Sequence, residues 1–458
     1  MKTKRYLFLP FFMFPLLAMA STPDSLRLTL SELLPQGLPV VVINTPDSLP
    51  ITSKMEWMDN VDLQIVMPDS AIVFSGRSHI KGHGNSTWRN TDKKPYAIKL
   101  YEAASLLGMS ADKRWVLLAE WFDRTLIRNA VSYKIAHLIC REWNPHGRHI
   151  NLVLNGEYRG VYFFCEKIKV APHRIDITKM NKYDAEGDEL TGGYLMELDI
   201  YFDEQNRFRS DIYNLPYMFK SPEEEILTVE QENYFKNYIA QMEEALRAGS
   251  NYEEWLDSDS FIDWLIANEM TGNREAVHPK SVFMFKDRGG KLKAGPLWDF
   301  DTSTFMPAYA SGIYTPHFLY FPELMRSYRF EKQLCERWKQ VRDSLVSIPD
   351  YIDSLAAAVL PSQILDNQIW PAATNVNGDE QLTYNEAIEQ MKRAIRIKWD
   401  AMDRSVQHLT DVITHIPANG VANHPITNHH YFDLYGRSLA APPAKGVYIR
   451  NGMIFETR

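Results

Sequence analysis

The chain has 458 residues, 45% of them hydrophobic, with 50 Lys+Arg against 58 Asp+Glu and a formal net charge of -8. A chain of that length holds a large core in about two or three domains, and an acidic balance with no basic cluster excludes a nucleic-acid binder. Three cysteines (Cys140, Cys165, Cys335) exclude a disulfide scaffold, and without a CxxC pair or HExxH nothing supports a zinc site.

In chain order, Lys2, Lys4 and Arg5 form a basic head, Tyr6 to Leu17 an apolar run, and Ala18-Met19-Ala20 a small-residue cleavage site. Residues 1–20 therefore read as a secretory signal peptide, too short and too interrupted by proline for a good membrane span. No cysteine follows the cleavage position, so an exported protein that is not a lipoprotein is expected. It would be periplasmic, surface-bound or secreted. No later segment approaches the ~18 consecutive apolar residues of a membrane helix, so no stable membrane insertion is expected. Residues 21–36 are a leading segment.

Strands are predicted at Leu38–Ile43, Val61–Met67 and Pro95–Leu100, with Pro-Asp-Ser turns at 46–48 and 68–70. A helix follows, capped by Asp123 or Thr125 and continuing at helical spacing through Leu126, Ile127, Ala130, Tyr133 and His137. Asn155-Gly156 between Ile150–Leu154 and Arg159–Glu166 is a strong hairpin signal. Cys165 falls in an apolar strand and reads as a buried thiol, with a Cys140–Cys165 bridge left open. Further elements are a strand over Thr191–Asp199, a helix over Val229–Leu246 and another from Asp257–Ser260. A hairpin of Phe283–Lys286 with Leu292–Ala294 comes next, then helices from Phe330 to Leu409. Residues 416–430 read as a linker and 431–458 as a short β-rich tail. Strands first and helices later give an α+β fold of two lobes, with a β-rich N-terminal part and a helical C-terminal half.

Four segments carry candidate chemistry. Gly82, Gly84, Asn85 and Ser86 sit in Lys81-Gly-His-Gly-Asn-Ser-Thr-Trp88, which reads either as a tight turn or as a backbone cradle for an anion. Lys99 ends the strand Tyr96-Ala-Ile-Lys99, in the order of a glycine loop followed by an Ala-Ile-Lys strand. It reads either as a phosphate-neutralising lysine or as an exposed strand-end residue. Trp298-Asp299-Phe300-Asp301 places two carboxylates on one side of a predicted strand end, about 7 Å apart. They suit a hard cation, a glycosidase acid–base pair or a solvated turn. Asn273-Arg274-Glu275 and His278-Pro-Lys-Ser281 lie between a helix and a hairpin, where a carboxylate precedes a metal-binding Asp in kinases; a plain polar loop is the other reading.

From residue 38 to 405 the sequence resembles the spore coat protein H (CotH) kinase family, an atypical protein-kinase-like group. The resemblance adds Trp121–Asn129, Leu154–Tyr162, Glu166 and Gly193–Asp199 to the four segments. It implies a kinase-like domain over 37–415 that transfers phosphate from ATP, with Mg²⁺ or Mn²⁺, to Ser or Thr of a protein substrate. By that resemblance Glu275, Lys99 and Asp299 are catalytic. Gly82, Gly84, Asn85, Ser86, Lys99, Arg128 and Glu166 hold the nucleotide, and Asp299, Asp301 and Glu275 hold metal. The family usually has Asp where this chain has Glu275, and Asn where it has the 278–281 run. That departure admits a kinase-like module binding a glycan or surface protein as the alternative. The tail resembles C-terminal extensions of exported Bacteroidetes-type bacterial proteins.

Overall fold

The computed structural model describes residues 27–371 and 376–414, together with four short strands between 431 and 457. The expected signal peptide and the 416–430 linker lie outside the described residues.

A short helix, α1 (Leu30–Leu33), leads into seven strands. These are β1 (Val40–Asn44), β2 (Met58–Val66), β3 (Ile72–Gly82), β4 (Tyr96–Ala104), β5 (Asp112–Leu118), β6 (Gly147–Leu154) and β7 (Glu157–Glu166). They close into a barrel in the order β1-β2-β3-β4-β5-β7-β6. All pairs are antiparallel except β1 with β6, which run parallel and complete the ring. The β-branched run of β1 suits a pleated, buried ribbon. At the β6–β7 turn Asn155 and Gly156 both have positive φ, 53° and 78°, as a two-residue hairpin with the native twist requires.

Side-chain alternation sorts the strands into two faces. Ile43, Leu63, Ile80, Ile98, Trp115 and Phe164 fill the barrel. Val116, Val161, Phe163 and Cys165 point outward into a second, larger core. Helix α2 (Ser86–Asn90) follows β3, and α3 (Arg128–Ile139) lies between β5 and β6. The outer core continues into a five-stranded sheet of β8 (Tyr194–Leu198), β9 (Arg207–Arg209), β10 (Pro216–Ser221), β11 (Val282–Lys286) and β12 (Leu292–Ala294). Its order is β12-β11-β8-β10-β9.

Helices α4 (Val229–Ala248) and α5 (Ser258–Thr271) start where their sequence caps sit. Thr228 and Gln231 form a capping box, and Asp257 Oδ1 accepts the Ser260 N–H at 2.8 Å. The C-terminal half adds α6 (Pro307–Ala310), α7 (Phe321–Leu324), α8 (Tyr328–Val341), α9 (Ile348–Ile369) and α10 (Tyr384–Thr414). Helix α9 is fastened to the barrel by Asp366, whose Oδ1 accepts the Lys93 ammonium at 2.6 Å and the Val161 N–H at 2.8 Å. In the tail β13 (Tyr431–Phe432), β14 (Ser438–Leu439), β15 (Gly446–Arg450) and β16 (Met453–Thr457) form a four-stranded sheet.

The mixed α+β class holds, with the β-rich part first and helices gathered in the second half. Two local expectations change, and the question of a disulfide closes. The helix expected from Asp123 or Thr125 starts at Arg128. The Asp123 carboxylate instead ties a preceding turn, accepting the Thr125 N–H at 2.8 Å and the Arg128 N–H at 2.7 Å. Trp298–Asp301 is not a strand end but irregular chain, with Asp299 in the left-handed region at φ 68°. Cys140, Cys165 and Cys335 are all free thiols, and the optional bridge is not formed.

Candidate functional site

The site lies where the outer face of the barrel meets the ends of β8, β10 and β11. On the barrel side, strand register aligns Lys81, Ala97, Val116 and Cys165 in one row and His79, Lys99 and Arg114 in the next. These alternate with the barrel-filling Ile80, Ile98 and Trp115, so Lys81, Lys99 and Arg114 share the outer face. Lys167 follows immediately after β7. Burial, then the neighbouring Lys220, pushes Lys167 down to about 8. Burial and Arg114 also lower Lys81. Burial, with Lys167, Lys220, Lys81 and Lys54 around it, holds the His83 imidazole well below its usual range. Crowded lysines with depressed pKa values are short of an anion.

The loop after β3 borders this cluster. A Cβ on Gly82 would lie 2.5 Å from the Trp88 ring, so only glycine fits that close approach. Gly84 has φ +73°. The Lys54 ammonium clamps the loop, donating to the Gly84 carbonyl at 3.2 Å and to Asn85 Oδ1, and pairs with Asp203 at 3.5 Å. The His83 ring meets Trp298 edge-on at 6.5 Å. The glycine loop is therefore brought against the Trp298–Asp301 segment.

The facing side is acidic. β8 delivers Glu197, with Asp199 one residue past its end, and β10 delivers Lys220. Lys220 pairs with Glu197 at 3.2 Å and also contacts Glu204. Burial opposes its charge, but these two carboxylates hold Lys220 above its usual range. Asp199 accepts N–H groups from Tyr201 at 2.8 Å and Ser281 at 3.0 Å. Burial nevertheless pushes Asp199 up to about 6. Ser281 Oγ lies 3.4 Å from Asp299 Oδ2, so one serine touches both aspartates. Burial, then Glu275 and Asp199, pushes Asp299 up to about 7.

Trp298 and Phe300 are buried on either side of Asp299, and Tyr133 of α3 stacks on Trp298 at 6.1 Å. That packing holds Asp299 in its positive-φ conformation, one that costs an ordinary residue roughly 1 kcal/mol and tends to accompany function. Asp301 is held well above its usual range by burial, Asp299 and Asp123. Glu120 is likewise raised by burial, Asp301 and Asp123, although the Asn129 amide donates to it at 2.9 and 3.2 Å. Glu275 opens a one-turn 3₁₀ segment and is in ion-pair contact with Lys280.

The structure thus gathers Gly82, Gly84, Asn85, Ser86, Glu275, Asp299 and Asp301 around one region. Lys99 is on the correct face but makes no ion pair or side-chain hydrogen bond among the described residues. Arg128 turns inward. It is fully buried, bonded to Asp123 at 3.1 Å, Asp379 at 2.9 Å and the Thr304 carbonyl at 2.6 Å. Glu166 is also buried, engaged by Arg174 and by His146 at 3.1 Å. Sequence reasoning missed roles for Lys81, Lys167, Lys220, Glu197, Asp199 and Glu120. The available signals were Lys167 directly after Glu166 and the lone Lys220 ending an apolar strand.

Among the described residues no three His, Cys, Asp or Glu side chains form a ready metal cage. Asp199 and Asp299 share Ser281, whereas Glu197 and Glu275 are in ion pairs with Lys220 and Lys280. Two carboxylates and a serine oxygen are the donor set Mg²⁺ or Mn²⁺ takes when phosphate oxygens supply the remaining ligands.

Lysines with lowered pKa values thus face carboxylates with raised ones. A family model described as CotH kinase protein matches residues 80–402; the chain belongs to the CotH kinase family. No curated protein matches the chain. Among the described residues no helix is long and apolar enough to cross a membrane.

Proposed function

We propose that the protein is an exported, ATP- and metal-dependent protein kinase that transfers phosphate to Ser or Thr of exported or surface proteins. One observation carries the reading: Lys81, Lys167 and the glycine loop beside the barrel face Asp199 at the end of β8 and Asp299 in the irregular chain after β12. A nucleoside triphosphate with its divalent cation is complementary to both halves at once. In this reading ATP lies between a barrel lobe and a helical lobe.

The Gly82–Ser86 backbone and the Lys81 and Lys167 ammonium groups hold the phosphate oxygens, with Lys99 at the margin and Lys220 kept by Glu197 and Glu204. Asp199, Asp299 and Ser281 would hold Mg²⁺ or Mn²⁺, which when bound neutralises charge developing on the phosphoryl oxygens. Asp301 is buried close enough to Asp299 for that carboxylate to raise it. Glu275 accepts the proton of the acceptor hydroxyl once Lys280 releases it. Arg128 acts at a distance, fixing Asp123 and the start of α3. The export assignment rests on the leading sequence.

The Glu275–Lys280 ion pair favours a second reading, a kinase-like module that binds a glycan or surface protein and turns over poorly. Incubating the mature protein with labelled ATP and Mg²⁺ or Mn²⁺ tests the first. Autophosphorylation or labelling of a Ser/Thr substrate that disappears in Asp299→Asn supports it. Labelling that survives in Asp299→Asn overturns the site assignment. Nucleotide-induced stabilisation without labelling favours a catalytically weak module, and no nucleotide binding at all overturns the kinase reading.

A further inference from the structure

One lysine stands among the acids of the site and is held there by its neighbours in the chain. On one side of it the Pro279 carbonyl accepts the Ile200 N–H at 2.9 Å. On the other, Ser281 donates its N–H to Asp199 at 3.0 Å, and its Oγ lies 3.4 Å from Asp299. Lys280, between these two anchors, sends its ammonium to Glu275. Backbone and tip together therefore place a positive charge beside Asp199, Glu275 and Asp299.

That charge is stable. Burial opposes it, but the Glu275 carboxylate, with Tyr201 and Asp199 near, holds the Lys280 ammonium above its usual range. The same ammonium pulls Asp299 down, against burial, Glu275 and Asp199. The other groups nearby leave the balance as it is. Glu197 is paired with Lys220, and burial, Asp299 and Asp123 hold Asp301 well above its usual range, so Asp301 brings a proton rather than a charge. The carboxylates of Asp199, Glu275 and Asp299, less the ammonium of Lys280, leave the negative charge of one divalent cation.

We infer that Lys280 is a built-in cation, its ammonium taking the place of a second divalent ion, so that the site works with a single Mg²⁺ or Mn²⁺ per nucleotide. Two-cation phosphoryl-transfer sites hold their ions about 3.5–4 Å apart and use both to gather charge on the transferred group. A lysine ammonium is a compact point charge and can do the second ion's part without being loaded from solvent. Without it, Glu275 and Asp299 would be two carboxylates with no charge between them, which is what Mg²⁺ or Mn²⁺ takes when phosphate oxygens complete its shell. The inference rests on the cation site proposed above at Asp199 and Asp299.

The test counts bound Mn²⁺ by electron paramagnetic resonance on the full mature chain saturated with the non-hydrolysable β,γ-imido analogue of ATP. The wild type is expected to bind a single Mn²⁺, held at least about tenfold less tightly in Asp299→Asn, since even indirect metal partners are worth that much. Lys280→Gln is expected to bind a second ion, spin-coupled to the first, and to lose it again when Glu275→Gln is added. Lys280→Arg, which keeps the charge, is expected to stay with a single ion. The Lys280 side chain is 30% exposed, so neither replacement disturbs the core. A second ion in the wild type, none in Lys280→Gln, or one in Lys280→Arg overturns the inference and leaves the cation site standing. No Mn²⁺ on the wild type, or a single ion indifferent to Asp299→Asn, overturns that site and the inference with it.

Discussion

If Asp199 and Asp299 hold the proposed cation, their raised carboxyls make its binding depend steeply on pH. Both groups sit above their unfolded values, so the folded protein holds extra protons between about pH 4 and 7. The stability those protons represent is complete below the unfolded pKa and is lost as pH rises through 6 and 7. Without a cation the protein is therefore less stable at pH 8 than at pH 6. A divalent cation reverses the preference, because it needs both carboxylates ionised. With values of about 7 and about 6, the doubly ionised fraction falls from ~0.9 at pH 8 to ~0.05 at pH 6, so affinity drops about twentyfold. Cation at about 100 times its Kd stabilises by ~2.7 kcal/mol at pH 8, and the same concentration gives only ~1 kcal/mol at pH 6. Urea denaturation with and without Mn²⁺ at the two pH values reads both quantities. Asp299→Asn should remove the cation effect and leave the cation-free protein at least as stable at pH 8 as the wild type. Equal stabilisation at both pH values, or a larger one at pH 6, refutes the assignment of these carboxylates.

Lys167→Met should weaken ATP binding about tenfold or more, the worth of one charge-assisted hydrogen bond, whereas Lys99→Met should change it less than about threefold; titration of each variant with a fluorescent nucleotide decides between the two lysines. Gly82→Ala must displace the Trp88 ring from 2.5 Å, and about a tenfold loss of nucleotide affinity is expected with a stability change under about 1 kcal/mol, read by the same titration and by urea denaturation. Lys93→Met leaves Asp366 buried without its ammonium and should cost about 3–5 kcal/mol. A denaturation midpoint that does not move would show that the pair fastening α9 to the barrel is energetically idle.

Local signals were the readable part of the sequence. The Asn155-Gly156 turn and the helix starts at Val229 and near Asp257 depend on residues within about four positions, and each stands where the pattern placed it. The burial of Trp298 and Phe300 was legible from alternation, but the backbone form around Asp299 was not, because positive φ in a non-glycine residue is imposed by packing from Tyr133. The family resemblance brought Asp299 and Glu275 to notice. It assigned the phosphate contact to Lys99, whereas the lowered lysines beside the glycine loop are Lys81 and Lys167. Strand register alone decides which lysine of a shared face reaches the acidic end, and register is a long-range property. Arg128 illustrates the converse: nothing in its neighbourhood in sequence announces Asp379, 251 residues later.

The closure of the barrel has a practical consequence for anyone trimming the gene. The family match begins at residue 80, yet β1 and β2 end by residue 66 and supply the staves between β3 and β6. A product cut to the matched segment would expose two raw hydrogen-bonding margins, the usual template for strand-to-strand clumping. Synthesis faces the same dependence, since the first stave cannot find its parallel neighbour until about 150 residues have been made, a long wait by the measure of sequence separation.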